Sequence, residues 1–408
     1  MAAGNNNARV VVVGAGPVGM ICALALNRHG VAVTVFEQEP APVTDQRAAS
    51  IHPPTLELLD QLGVAQTIIP LGLKSPSYRF HDRVTRSVVA EFDLGLMSDE
   101  FRFPFVLQYE QYKLTAAIAA AYANAGDFDV HFAHAVTDIR DCGGHVDITV
   151  AMDGTTERLQ AAYVIGCDGG RSTVRKLAGI DFEGFTYPEK FIKIATPFDF
   201  ATVNRDLALR NYFADPDAWS NVFKVRGERP GGLWRVIVPI GPDESDETAL
   251  APGRVEERLQ RFFPKTGRYP VEYVNVYGVS QRVAATFRRG RVLLAGDSAH
   301  VNNPIGGMGM NGGIHDAINL ADKLAFALHG EADDTLLDLY SRQRRHAAVA
   351  YVQAQTIANK KLMEERDARV RAANFDELRR TAEDLEAARR YMRRAALLDS
   401  LNTANAVE

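Results

Sequence analysis

Val10-Val11-Val12-Val13-Gly14-Ala15-Gly16-Pro17-Val18-Gly19, running into the Ala/Leu-rich segment Met20 to Asn27, is the stretch that decides the fold. Four successive β-branched residues read as a strand buried on both faces. A second apolar strand, Val31 to Phe36, ends in Glu37. The pattern is G-x-G-x-x-G between strand and helix, with an acid about 20 residues on. Gly14 permits the tight turn, Gly16 lets a pyrophosphate reach the backbone, and Gly19 lets the helix close on the sheet. Pro17 and Val18 complete the turn, and the helix N-terminus offers bare N–H groups to phosphate. Glu37 is placed to accept hydrogen bonds from the ribose of an adenosine.

Bulk properties set the frame. A chain of 408 residues calls for two or three closely packed domains. With 46% hydrophobic, 24% charged and 9% aromatic residues, it reads as an ordinary globular protein. A net charge of -5 gives no electrostatic case for nucleic acid. Cys22, Cys142 and Cys167 are scattered without metal spacing, so no metal is expected, and such usage suits a reducing cytoplasm. No apolar run reaches membrane-spanning length without a charge, and a cytoplasmic location is expected.

Further along, Gln38 to Gln46 is a loop (Pro40, Pro42, Asp45) that delivers Arg47. His52-Pro53-Pro54 opens a helix, Thr55 to Leu62. Ser77 to Phe92 reads as two strands around a turn at His81-Asp82-Arg83, and Glu110 to Ala125 as a helix. Val130 to Val136, His145 to Ala151 and Tyr163 to Cys167 are strands, the last leading into Asp168-Gly169-Gly170-Arg171-Ser172. From about Ile180 to Gln281, strand-like runs (Phe191–Phe198, Leu207–Phe213, Val222–Val225, Leu233–Ile240, Tyr273–Val279) alternate with Pro/Gly/Asp turns around one helical insert, Val255 to Phe263. The α/β texture returns at Arg291 to Ala295, which ends in Gly296-Asp297-Ser298-Ala299-His300. A loop with five glycines, Asn302 to Gly313, then leads into a long helix from about Asn311 to His329. Leu336 onward is helical and densely charged, with a break near Asn374 and a disordered end after Ser400.

Three buried strands thus end in polar, glycine-bearing turns: Gly14–Gly19, Asp168-Gly169 and Gly296-Asp297. In an open parallel sheet, ligands lie outside the carboxyl ends of the strands, so the three turns should line one crevice. Five glycines before an apolar helix are costly unless something must approach the backbone closely.

These motifs, in this order, resemble the group A flavoprotein monooxygenases of the para-hydroxybenzoate hydroxylase type, over roughly residues 8 to 395. The resemblance implies a Rossmann-type FAD-binding domain with an inserted, mostly antiparallel β-sheet substrate domain and C-terminal helices. The expected division is 1–76, 101–180 and 282–372 for FAD binding, 77–100 and 181–281 for the substrate domain, and 373–408 for a C-terminal helical segment. By the same resemblance Glu37 holds the adenosine ribose, Arg47 reaches the cofactor, and Gln111 lies beside the ribityl chain. Asp168 belongs to a motif serving both FAD and the nicotinamide nucleotide, Asp297 bonds the ribityl hydroxyls, and Gly309, Met310 and Asn311 face the flavin through their backbone. Arg171 and Arg175 remain open between a structural role and contact with NAD(P)H. Asn303 stands where many relatives have a second proline.

The activity so implied is hydroxylation of an electron-rich phenol or hydroxypyridine by a flavin C4a-hydroperoxide, with O2 and NAD(P)H as co-substrates. Same-fold alternatives are epoxidation, decarboxylative hydroxylation and halogenation; a flavin-dependent dehydrogenase or a non-catalytic flavoprotein is the rival of another class. A group that takes the phenolic proton should face the pocket. His52 and Tyr212 are the candidates, with Arg210 on the face of Tyr212; His300 reads better as a packing residue. Tyr212, Phe223 and Trp234 are expected to line the pocket. The loop Gln38 to Gln46 has no Arg or Lys for a 2′-phosphate, which favours NADH over NADPH. The charged C-terminal helices leave a homodimer interface and a solvated hairpin as alternatives.

Overall fold

The computed structural model describes residues 9–44, 46–122 and 127–408. Asp45, residues 1–8 and the last turn expected for the Glu110 to Ala125 helix lie outside them; within them that helix runs Gln111–Tyr122.

The valine strand Val10–Val13 is the centre of a six-stranded sheet. Val33–Phe36 and Phe128–His131 lie on one side, and Tyr163–Gly166, Val292–Leu294 and the edge pair Arg288–Arg289 on the other. All pairings but that of the edge pair are parallel, with Val10 between Tyr163 and Val33. Helices Pro17–Arg28 and Met308–Leu328 pack on this sheet, so its central strands Val10–Val13, Tyr163–Gly166 and Val292–Leu294 need no polar face and carry none.

An eight-stranded sheet forms the second layer, in the order His300–Val301, Tyr273–Ala284, Phe182–Thr196, Leu233–Ile240, Ser220–Val225, Arg210–Ala214, Ser77–Asp82 and Ser87–Asp93. It is antiparallel throughout except where Arg210–Ala214 runs parallel to Ser77–Asp82. One face packs on the helix Pro252–Phe262 around Phe200, Trp234 and Phe213. The other, bearing Tyr78, Phe80, Tyr212 and Phe223, turns toward the first layer. Among the described residues no helix is long and apolar enough to cross a membrane.

Several elements differ from expectation. Val130 to Val136 is two strands, Phe128–His131 and Ala135–Asp141, because Ala133 takes φ 57° and the chain turns to bond Glu37 and Glu39. His81 and Asp82 belong to a strand, and the Asp82 carboxylate accepts from Val84 N and Thr85 Oγ1 to set the turn one step later. Thr155–Ala161 is a further strand, paired with Val146–Met152; its charged, nearly all-exposed sequence hid it. Asn374 breaks nothing: the helix runs Ala368–Glu383, and the stops are its neighbours Asp367 and Asp384, each capping the helix that follows. The chain after Ser400 is ordered as helix Leu398–Asn405, tied down by Arg342 and Gln343 donating to the carbonyls of Glu408 and Val407.

Candidate active site

The carboxyl ends of four adjacent parallel strands bring the expected turns together. Gly14 N donates to Phe36 O (2.7 Å) and Cys167 N to Val13 O (2.8 Å), so the first turn sits between Glu37 and Asp168. Gly14 has φ 103°, and a Cβ there would lie 2.6 Å from Cys167 O; one on Gly19 would lie 2.0 Å from Gly14 O. A Cβ on Gly16 would meet nothing within 4 Å. Two glycines are thus required by packing, while the third presents bare backbone to open space. Pro17 occupies the first helical position, and Val18 fills the gap beneath Gly296 and Gly313, where added Cβ atoms would lie 2.9 and 2.6 Å from it. The first and third turns are therefore in contact.

Around this crevice the polar side chains divide by role. Glu37 sits at its rim, accepting from Ala15 N (2.8 Å) and Glu39 N (3.0 Å). Asp168 is committed to its own helix: its carboxylate accepts from Ser172 Oγ, Thr173 N and Val174 N at 2.5, 2.7 and 3.0 Å. Arg175 is structural, donating to Ser298 O and Gly170 O and covering the Phe182 ring at 3.7 Å; it ties the second turn to the third. Arg171 is exposed. Asp297 is the exposed member of a turn whose neighbours Gly296 and Ser298 are buried. Gln111 donates its N–H to Ala48 O (3.0 Å), beside Arg47, whose carbonyl accepts from Arg235 (3.2 Å). Bare backbone at Gly16 and a lone open carboxylate at Asp297, joined by Val18, fit an extended dinucleotide with its phosphates at the first turn.

The helix Met308–Leu328 starts earlier than the sequence suggests, since Gly306 (φ 100°) and Gly307 (φ 68°) make the turn into it. Gly309, Met310 and Asn311 are its first turn. The Asn311 side chain does more than fill space: it accepts from His52 N (2.9 Å) and donates to Ser50 O (2.9 Å) and Gly307 O (2.7 Å), fastening the His52 segment to the helix. Behind it, Asp316 accepts from His300 Nε2 (2.8 Å), Arg344 Nε (2.7 Å) and Gly296 N (3.1 Å), so His300 is a buried packing residue.

Beyond the helix N-terminus, between the layers, lies a narrow pocket lined chiefly by His52, Tyr78, Arg210, Tyr212, Met308 and Tyr391. Both catalytic candidates, His52 and Tyr212, thus face one space. Tyr212 stacks on Phe80 (5.0 Å) and meets Tyr78 edge-on (6.3 Å, 90°). The Arg210 guanidinium lies over both tyrosine rings, at 5.5 and 5.8 Å, and donates to Gly306 O (2.6 Å). Burial, then Arg210 and His315, hold the His52 pKa well below 6.5, so the ring is neutral. Neither ring nitrogen of His52 nor the Tyr78 hydroxyl has a hydrogen-bond partner. Burial raises the Tyr78 and Tyr212 hydroxyls, with Arg210 pulling the other way. The pocket therefore holds a permanent cation, a neutral imidazole and neutral phenols, in apolar walls.

Sequence reasoning missed three contributors. Tyr78 was findable, since it alternates with Phe80 on the strand that pairs with Arg210–Ala214. Asn359 and Tyr391 come from C-terminal helices, and no local signal marks them. Those helices are neither a bare hairpin nor only a surface: Leu385–Ala395 closes the cavity, with Tyr391 stacked on Phe92 (4.4 Å) and Arg389 bonded to Leu96 O, Asp99 and Glu100. Trp234 does not line the pocket. It pairs with Lys224 on the opposite face and packs on Phe200; Phe223 is on the inner face but packs in the core beside the pocket and does not line it either. Cys142, unpatterned in sequence, converges with His145 and Asp147 (ligand atoms within 4.8 Å) at an exposed hairpin, where Arg140 and Gln160 already bond the carboxylate.

Comparison with known proteins agrees with this geometry. A family model described as an FAD binding domain matches residues 7–355. The chain is 34% identical over 361 residues to para-nitrophenol 4-monooxygenase of Pseudomonas sp. (strain WBC-3), covering 88% of each. It is 32% identical over 375 residues to the 3-(3-hydroxy-phenyl)propionate/3-hydroxycinnamic acid hydroxylase of Mycolicibacterium smegmatis, covering 90% of this chain but only 64% of that longer protein. The crystal structure of p-nitrophenol 4-monooxygenase PnpA from Pseudomonas putida DLL-E4 superposes with a TM-score of 0.89 at 32% identity, covering 96% of this chain and 98% of that one.

Proposed function

The chain belongs to the FAD-dependent aromatic monooxygenases, and we infer that its pocket hydroxylates a single-ring phenol, or a hydroxypyridine, that is already acidic enough to bind as the anion. The observation that carries this is the pairing of buried Arg210 with a His52 held neutral. A strong base is absent from that pair, while a fixed positive charge is present. Such a site selects a ring that ionises easily and stabilises the phenolate electrostatically.

FAD, held along Gly14, Gly16, Pro17, Val18, Gly19, Glu37, Arg47, Gln111 and Asp297 and reaching Gly309, Met310 and Asn311, would supply oxygen activation and transfer to the ring. Asp168 acts in this scheme by shaping the second turn. The chain's own residues do the rest. Arg210 binds the oxyanion and keeps its electron density available to the ring carbon that is attacked. His52, its backbone fixed by Asn311, stays neutral and offers a ring nitrogen as a hydrogen-bond partner to the bound ring. The faces of Tyr78 and Tyr212 orient the ring, and Leu385–Ala395 excludes water.

NADH is the proposed reductant, because the only charged group in the described part of the loop 38–44 is Glu39. The proposed division of the chain is 1–76, 101–180 and 282–372 for FAD, 77–100 and 181–281 for substrate, and 373–408 for the closing helices. Strands at 77–93 and 182–284 sharing one sheet support it, though helix Ala368–Glu383 carries the last boundary within it. A screen of nitrophenols, hydroxybenzoates and hydroxypyridines for stimulated NADH oxidation, with product mass read alongside, tests the reading. FAD-loaded protein that consumes no O2 with any of them would refute it.

A further inference from the structure

We propose that a cationic groove at the rim of the substrate domain binds the diphosphate of the reducing nicotinamide dinucleotide; this rests on the hydroxylase reading above. The groove, about 370 Å³, is lined by Lys224, Arg226 and Arg229 together with Leu73, Leu209 and the backbone at Gly231 and Gly232. Its lining has three cations and no carboxylate, in a chain whose net charge is -5. Asp199 and Glu272 approach Lys224 (3.6 Å) and Arg229 (3.3 Å) from outside the lining and hold them in place. Gly231 has φ 90°, and a Cβ there would meet nothing within 4 Å, so the backbone is open to a ligand. Leu73 and Leu209 add apolar surface of the kind a planar base or nicotinamide ring covers.

Position argues for a reductant over an unrelated anion. The hairpin that carries the groove is clasped to the FAD-binding layer. Arg226 donates to Pro70 O (2.8 Å), Gly227 N to Glu110 Oε1 (3.2 Å), and Lys113 Nζ to Gly227 O (2.9 Å). Glu110 adjoins Gln111 in sequence and stands 3.9 Å from Arg235, which bonds the Arg47 carbonyl. The groove is thus linked through a single layer of side chains to the two residues assigned to the flavin side of the crevice. The crevice's own loop 38–44 lacks a cation for a second pair of phosphates, whereas the groove presents Arg226 beside Lys224 and Arg229, whose carboxylate partners lie outside the lining.

The test uses the FAD-loaded protein and NADH as the probe, with binding followed by nicotinamide fluorescence. Arg229→Glu reverses an exposed charge and leaves the clasp intact; Lys224→Gln with Arg229→Glu removes two of the three cations. The proposal expects NADH binding about tenfold weaker in the double variant, and a salt dependence flatter than in the wild type. FAD content and phenol affinity should be unchanged. Unaltered NADH affinity in the double variant overturns the groove while leaving the hydroxylase reading standing. Equal loss of phenol and FAD binding also overturns it, as does competition by inorganic phosphate as effective as that by ADP-ribose. Wild-type protein that oxidises no NADH with any phenol overturns the hydroxylase reading itself, and this assignment with it.

Discussion

Replacing Arg210 tests the electrostatic core of the site most directly. Its guanidinium is 5% exposed and lies between two aromatic rings, so water screens it poorly. A hydrogen bond to a charged partner contributes about 1.5–3 kcal/mol, which corresponds to roughly a 12- to 150-fold change in affinity. Arg210→Gln should weaken binding of a phenolate by that factor. Expressed as acidity, the same energy raises the pKa of the bound phenol by about 1–2 units. 4-Nitrophenol is a suitable probe because its phenolate has a visible band, so ionisation can be titrated on the enzyme directly. Arg210 also donates to Gly306 O, and its removal could disturb the helix start. Arg210→Lys controls for this: it keeps the charge, loses the fork, and should recover most of the lowered phenol pKa while FAD content stays constant. If Arg210→Gln leaves the bound pKa and the affinity where they were, the phenolate is held by something else and the argument from buried charge fails.

Three further outcomes follow from the geometry. Gly19→Ala forces a Cβ to within 2.0 Å of Gly14 O and should prevent stable folding, whereas Gly16→Ala has room in the apoprotein. The latter should keep its thermal midpoint but lose at least about tenfold in FAD affinity, as read by flavin fluorescence; equal effects of the two would contradict the division of roles. Ala396→Phe fills the cavity at a cost of about 1–3 kcal/mol and should abolish phenol-stimulated NADH oxidation with FAD retained, while Tyr391→Ala, by opening the wall, should divert O2 to hydrogen peroxide. For pH, burial lowers the folded pKa of His52 well below 6.5 and that of His315 to about 3. The unfolded chain therefore binds more protons below pH 6.5, so stability is full above that value and falls as pH drops through it. His315 alone should remove about 1.4 kcal/mol by about pH 5.5, and His52 adds to the loss in the same direction. Urea midpoints at neutral and mildly acid pH check this, and His315→Gln should make the slope shallower.

The FAD crevice was legible because local sequence encodes it. A run of valines cannot face water, glycines at Gly14 and Gly19 are demanded by contacts under 3 Å, and each strand end lies next to its turn. The strand alternation also placed Tyr212 and Arg210 together. It failed at Trp234 for an instructive reason: period two says which residues share a face but not which face meets the ligand, and both faces of this sheet are buried. Tyr391 and Asn359 were beyond reach, because their places depend on a helix returning more than 250 residues after Tyr78. That return is held by Arg389 and Arg393 against Asp99 and Glu100, charges that read in sequence as a solvated face.

Helix Met308–Leu328 explains why cofactor crevice and substrate pocket keep a fixed relation. Gly313 packs on Val18 and Gly296, which ties the helix to the first and third turns. Two residues earlier Asn311 clamps the His52 backbone, and at its start Gly306 receives Arg210 from the substrate sheet. Asp316 would be an intolerable buried charge by itself, but Arg344, His300 and Gly296 N satisfy it from three different elements. The whole helix is thereby locked in depth as well as in rotation. Neutralising it as Asp316→Asn leaves Arg344 buried without its counter-charge, and the disturbance would reach Gly296–Asp297 and Gly307–Asn311 together. The loss of flavin affinity and of phenolate affinity should therefore be correlated, though Asp316 touches neither ligand. Independent losses would mean that the two sites are registered by the sheets and not by this helix.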